Sequence, residues 1–234
     1  MGKLSNFICQ YGQDEYNTGM KTLRVPIYPS PEIVFPGQLY PIFPDKQGVD
    51  WLLRVCREQR QPLGVVWVSD VTCGAVANVG TLAYLLDDIP GNGRDFANAL
   101  VVGQYRFQML QIHQDQIYLE ATVQLWPWIE EPRPDWMLVE QVGHYLRRYV
   151  EALASVWPAA LLPEILRPGV STLGVLGAAL LPLAAEEKQR LLEMPTARGL
   201  LSAVLDYMRV YVPLAERLAT MSPKAMLHER VSLN

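Results

Sequence analysis

IVFPGQLYPIFP, residues 33–44, sets three prolines among aliphatic and aromatic residues and carries no charge. Proline has no backbone N–H to give to a central ladder, so such a stretch belongs at a sheet edge, a strand start or a bulge. Gly37, directly after Pro36, supplies a turn. Around this segment, LRVPIY (23–28), LGVVWV (63–68), GTLAYLL (80–86), ANALVV (97–102), YRFQMLQI (105–112) and IYLEATVQL (117–125) read as short strands. They are rich in β-branched and aromatic residues and separated by turn clusters such as DDIPGNGRD (87–95). One helix interrupts them: in GVDWLLRVCREQ (48–59), Val49, Leu52, Leu53 and Cys56 share a face opposite Asp50, Arg54 and Arg57.

After WIEEPRPD (128–135) the apolar period lengthens. Asp135 is placed to cap a helix in which Leu138, Val142, Tyr145, Tyr149, Leu153 and Val156 form one stripe. Pro158, Pro163 and Pro168 break up the next segment; a short apolar helix starts near Ser171, and AEEKQRLLE (185–193) reads as a charged one. Thr196 is placed to cap a long last helix carrying Leu201, Val204, Met208 and Val212, which Pro213 should kink or end. Strands first and helices afterwards predict an α+β chain. The expected division is a tail over 1–22, a β subdomain with one helix over 23–130, and a helical subdomain over 131–234.

Half of the residues are apolar, 19% are charged and the net charge is −4, which is a globular composition. The 20 Lys and Arg are scattered, and that argues against a nucleic-acid partner. Cys9, Cys56 and Cys73 lie far apart and form no C-x-x-C pair, so neither a disulfide framework nor a zinc site follows. Free thiols in a reducing cytoplasm are the economical reading. The first residues lack the apolar core of a secretory signal. The most apolar stretch, 170–185, is too short to cross a membrane and contains Pro182. A cytoplasmic protein without membrane association is expected; the oligomeric state is not legible.

The order of motifs resembles the Lon N-terminal, substrate-binding domain family. Leu23, Pro26 and Ile27, then Val34, Phe35, Pro36 and Gly37, then Pro41, Ile42 and Phe43, a helix, and Gly64, Val65 and Val66 carry the likeness. Gly80-Thr81, Gly103 with Arg106-Phe107, and Tyr118, Ala121 and Val123 follow in order. ALLPLAAEEKQRLLEMPTARGLLSAVL (179–205) is similar to the helical part of the family. Family members continue after Phe43 with an acid and an Arg-Tyr pair; here Pro44, Asp45 and Lys46 follow. The resemblance implies a PUA-like β pseudo-barrel followed by a small helical bundle, with Phe35, Tyr40 and Phe43 anchoring the opening segment.

Lon proteases need an ATPase phosphate loop and a Ser-Lys protease domain; this sequence has no G-x-x-x-x-G-K-[ST] motif and no G-x-S-x-G elbow. PGNGRD (90–95) stands between two strands, where a hairpin turn is expected and not a phosphate cradle, and Asp87-Asp88 belong to the same turn. His113, His144 and His228 have no Cys or acid at ligand spacing, so no metal, cofactor or catalytic residue is expected. In IYLEATVQLWPW the alternation places Trp126 and Trp128 on the polar side of the last strand. They either pack against the helical half together with Trp136 or form a partner-binding patch. The expected function is non-enzymatic recognition of polypeptide through an apolar surface near the junction of the two subdomains. Its candidate residues are Phe35, Tyr40, Phe43, Trp126 and Trp128. The alternative is a PUA-like RNA- or small-molecule-binding protein using Arg94, Arg106, Arg147 and Arg148.

Overall fold

The computed structural model describes residues 22–43, 48–69, 75–86, 99–156 and 170–221. The N-terminal tail, Pro44 to Lys46, the turn cluster at 87–95, the prolines at 158, 163 and 168, Cys9, Cys73 and His228 lie outside these. The elements of the first half are β1 (Thr22–Ser30), β2 (Leu39–Ile42), α1 (Val49–Gln59), β3 (Leu63–Val68), β4 (Val76–Leu85), β5 (Ala99–His113) and β6 (Glu120–Leu125).

The sheet order is β2-β5-β4-β3-β1-β6, and β6 also pairs with β5, so the sheet curls round into a pseudo-barrel. Every strand pair is antiparallel except β1 with β3, Ile27 lying opposite Gly64. A parallel pair needs a long connection, and β2 and α1 are built into it.

The two strands expected over 97–102 and 105–112 are a single strand, β5. Gly103 does not break it; it lets another segment cross. A Cβ there would stand 2.6 Å from the Phe35 carbonyl oxygen, while Gly37 N donates to Gly103 O at 2.7 Å and Gly103 N to Gln38 O at 2.9 Å. Gln104 and Leu110 are extra residues in the ladders to β4 and β6, and these bulges bend β5. Its first part thereby pairs with β2 and β4, and its last part with β6.

Inside the curl, Val25, Ile27, Val66, Leu82, Phe107 and Val123 form one core. Phe107 is fully buried because Gly64 and Gly80 leave room for it; a Cβ on either would stand 2.9 or 2.8 Å from its ring. A second core lies beneath α1, where Leu52, Leu53 and Cys56 meet Ile42, Leu63, Val65 and Val101.

The helices are α2 (Trp136–Val156), α3 (Val170–Leu180), α4 (Ala185–Leu192) and α5 (Ala197–Met221). Asp135 Oδ1 accepts from Leu138 N at 3.2 Å and Thr196 Oγ1 from Gly199 N at 3.1 Å, the two expected caps. Glu187 reaches back to Ala184 N at the start of α4. Arg198 lies 3.6 Å from Asp135 at the beginnings of α5 and α2, and Arg148 pairs with Glu216 at 2.8 Å farther along both, so these helices run parallel. Pro213 lies inside α5 and does not end it. The third core joins Val142, Leu146, Leu173, Leu181, Leu200 and Val204 to Ile33, Phe35 and Val79 of the β unit.

Candidate functional site

The opening segment is held by its own turn. Gln38 N donates to Phe35 O at 3.1 Å, and Gly37 sits between them at φ +84°. That is a type II turn, with proline in the second position and glycine in the third. Thr81 Oγ1 donates to Val34 O at 2.6 Å and fixes the approach. β2 then runs along β5, Tyr40 opposite Val101 and Ile42 opposite Ala99.

The same edge of β5 continues past the turn. Trp126 N donates to Arg106 O at 2.9 Å. From Ala99 to Arg106 is roughly 24 Å of strand at about 3.4 Å per residue. β2, the turn and the first tryptophan are strung along that edge, and β2 is the terminal strand of the sheet order.

The five candidate residues therefore occupy different environments. Phe35 is fully buried in the core shared with the helices. Trp126 and Trp128 are partly buried against that same core. Tyr40 packs against the core beneath α1, its hydroxyl 3.0 Å from Ser30 Oγ. Phe43 is 50% exposed just beyond β2, and Leu39 is 55% exposed within it. Side chains alternate along a strand, so Leu39, Pro41 and Phe43 look outward while Tyr40 and the buried Ile42 look in. Trp136, expected to join the other two tryptophans, is 68% exposed.

Between Trp126 and Trp128 lies a residue that sequence reasoning placed elsewhere. Arg106 was a candidate for a basic surface patch; it is 2% exposed, with its guanidinium 4.1 Å from the Trp126 ring and 4.0 Å from the Trp128 ring. Nε donates to Trp126 O at 2.6 Å, and Nη1 donates to Leu192 O at 2.7 Å and Met194 O at 2.6 Å. The last carbonyl of α4, that of Leu192, and the carbonyl of Met194 just beyond it are thus bound from the β unit, where a cation also suits the helix dipole. Burial pulls the guanidinium down to about 10, so it stays charged at neutral pH. Close by, Gln189 Nε2 donates to Val79 O at 3.1 Å, a second tie between α4 and the sheet. The rest of the expected basic patch is not assembled: Arg148 is paired with Glu216, Arg147 is exposed, and Arg94 lies outside the described residues. The available signal for Arg106 was the pair of tryptophans that cover it; the bulge at Gln104 hides its inward direction from a simple alternation.

A cavity of about 10 Å³ among Leu138, Val170, Ala197 and Leu201 has room for no more than a water molecule. A shallow trough on α2, beside Met137, Gln141 and His144, is open to solvent. Among the described residues no group of His, Cys, Asp or Glu is placed to hold a metal ion. Cys56 is buried, and burial pushes its thiol up to about 12, so it is not a nucleophile at neutral pH.

The description "ATP-dependent protease La (LON) substrate-binding domain" matches residues 24–210. The chain belongs to this Lon family. Its fold agrees with solved members of the family. A Lon N-terminal domain protein from Xanthomonas campestris has a TM-score of 0.62 at 19% identity, covering 80% of this chain and 99% of that one. The N-terminal domain of the Mycobacterium avium complex Lon protease has a TM-score of 0.59 at 18% identity, with 80% and 99% covered. No protein of curated function matches the chain. The family match is to the substrate-binding domain, a recognition part of Lon proteases, and none was found to an ATPase or protease domain. Among the described residues no helix is long and apolar enough to cross a membrane.

Proposed function

We propose that the chain is a non-catalytic, cytoplasmic recognition module that takes up unfolded or extended polypeptide along the edge of β2 that no other described strand pairs with. The observation that carries this reading is a terminal strand whose outward side is apolar: Leu39 and Phe43 are half exposed on either side of Pro41. An unpaired strand edge offers main-chain hydrogen bonds to an incoming chain, and the outward side chains supply apolar contact. The run from β2 through the turn to Trp126 would seat about seven extended residues. In this reading Phe35, Tyr40 and Trp128 mostly shape and support the edge, while Phe43 and the exposed part of Trp126 touch the guest.

The test is fluorescence anisotropy with a reduced, alkylated and permanently unfolded protein as probe. Binding should depend weakly on salt, because apolar contact is not screened as charge pairs are. Phe43→Ala combined with Leu39→Ser should weaken it by about 1–3 kcal/mol without lowering Tm. Undetectable binding at high micromolar concentration, or binding indifferent to both β2 substitutions, would sink the proposal.

A further inference from the structure

Main-chain groups alternate in direction along β5, and two of its residues give the sense of that alternation. Gly103 turns both groups toward the opening segment, its N donating to Gln38 O at 2.9 Å and its carbonyl accepting from Gly37 N at 2.7 Å. Leu100 turns the other way, its carbonyl accepting from Leu86 N, just beyond β4, at 2.9 Å. Val101 and Ala99 therefore face β2, and their partners Tyr40 and Ile42 direct their own N–H and C=O groups back at them. Leu39, Pro41 and Phe43 are left with their main-chain groups on the far side, which no other described strand pairs with.

That far side is uneven. It presents carbonyls at Leu39, Pro41 and Phe43, but N–H groups at Leu39 and Phe43 alone, because proline has none. A strand laid antiparallel on it sets three alternate residues opposite these. Each of the three gives its N–H to β2; the outer two take an N–H in return, and the middle carbonyl stays with water. Paired residues of an antiparallel ladder share a face, so the side chains of the same three lie beside Leu39 and Phe43, both half exposed. The two guest residues between them point their N–H groups away from β2 and do not need them there.

Resting on the reading that β2 takes up extended chain, we propose that Pro41 sets the frame in which that chain is held. The guest runs antiparallel, apolar at three alternate positions that must keep their N–H groups, and free to carry proline at the two positions between. β2 itself breaks this rule: a second copy in the same frame brings Pro41 against Pro41, with neither bond of the central pair. The edge thus accepts other chains and refuses its own.

The test is fluorescence anisotropy of the whole chain with carboxyfluorescein-labelled Lys-Val-Thr-Val-Thr-Val-Lys, which sets valine at the three positions. N-methylation of the middle valine removes the N–H aimed at Pro41 O and should raise Kd about tenfold, whereas N-methylation of either threonine should change it less than about threefold. Pro41→Ala restores the missing donor and should tighten binding of the unmodified peptide about threefold. The reverse pattern, threonine N–H groups needed and valine ones not, is that of a parallel guest and overturns the proposal. Equal sensitivity at all positions, or an affinity indifferent to Pro41→Ala, also overturns it. So does failure of this peptide to bind while unfolded protein is still captured through Leu39 and Phe43. Peptide binding that ignores Phe43→Ala with Leu39→Ser refutes the β2 reading itself, and the frame with it.

Discussion

Replacing Arg106 by alanine tests how the two halves are held together. The side chain makes three hydrogen bonds to main-chain oxygens, of Trp126, Leu192 and Met194, and fills the slot between two indole rings. Leaving three buried acceptors without their donor costs about 1 kcal/mol each or more. Losing the stacked cation removes about 2 kcal/mol more in a desolvated site. Against these stands the return of a buried charge to water, which the lowered pKa of Arg106 shows to be unfavourable in place. The net expectation is a loss of about 3–5 kcal/mol, a large part of the stability of an ordinary domain. Arg106→Lys keeps the charge but not the flat fork, and should lose about 2–3 kcal/mol. Urea unfolding followed by tryptophan fluorescence and by far-UV circular dichroism measures both variants, and Trp126 and Trp128 report the site directly. A loss below about 1 kcal/mol for alanine, or lysine behaving like arginine, would refute the assignment of Arg106 as the tie between sheet and helices.

Two glycines should respond in opposite directions. Gly80→Ala drives a Cβ to 2.5 Å from Val65 O and 2.8 Å from Phe107 Cζ, and should cost about 1–3 kcal/mol in chemical denaturation. Gly143→Ala, with nothing within 4 Å of the new Cβ in the middle of α2, should add about 0.5–1 kcal/mol. Asp135→Ala removes the cap of α2 and a neighbour of Arg198, and should lower stability by about 1 kcal/mol. Arg148 holds the Glu216 carboxyl below its ordinary value through their hydrogen bonds. A depressed carboxylate stabilises the fold above its unfolded pKa and loses that contribution as pH falls through the folded one. Tm should therefore fall less steeply on acidification in Glu216→Gln than in the parent.

What could be read from the sequence was what depends on local rules. The caps at Asp135 and Thr196, the turn at Gly37 and the helix over 48–59 follow from side-chain chemistry within a few residues, and the structure shows them. The long β5 was not legible, because Gly103 in a strand pattern reads as a stop when it is in fact a crossing point for the Phe35 carbonyl. Pro213 reads as a break, but α5 continues beyond it to Met221 on the packing of its buried side. The candidate site was legible as a set of aromatic residues and not as an arrangement. Whether Phe35 is buried and Phe43 exposed depends on pairings with β5, more than fifty residues later, which no local pattern encodes.

β1 has a further consequence, for how the chain comes to be folded. It takes one neighbour from β3 and the other from β6, with Leu23 opposite Val123. On the ribosome, where about 5–20 residues are added each second, the first strand waits several seconds for its second partner to emerge. During that time the core that buries Val25 and Ile27 lacks the side that Ala121 and Val123 close. Contacts so distant in sequence slow folding and prolong the exposure of strand edges. A sheet whose first strand gains its second neighbour only from its last strand stays incomplete until Leu125 has been made.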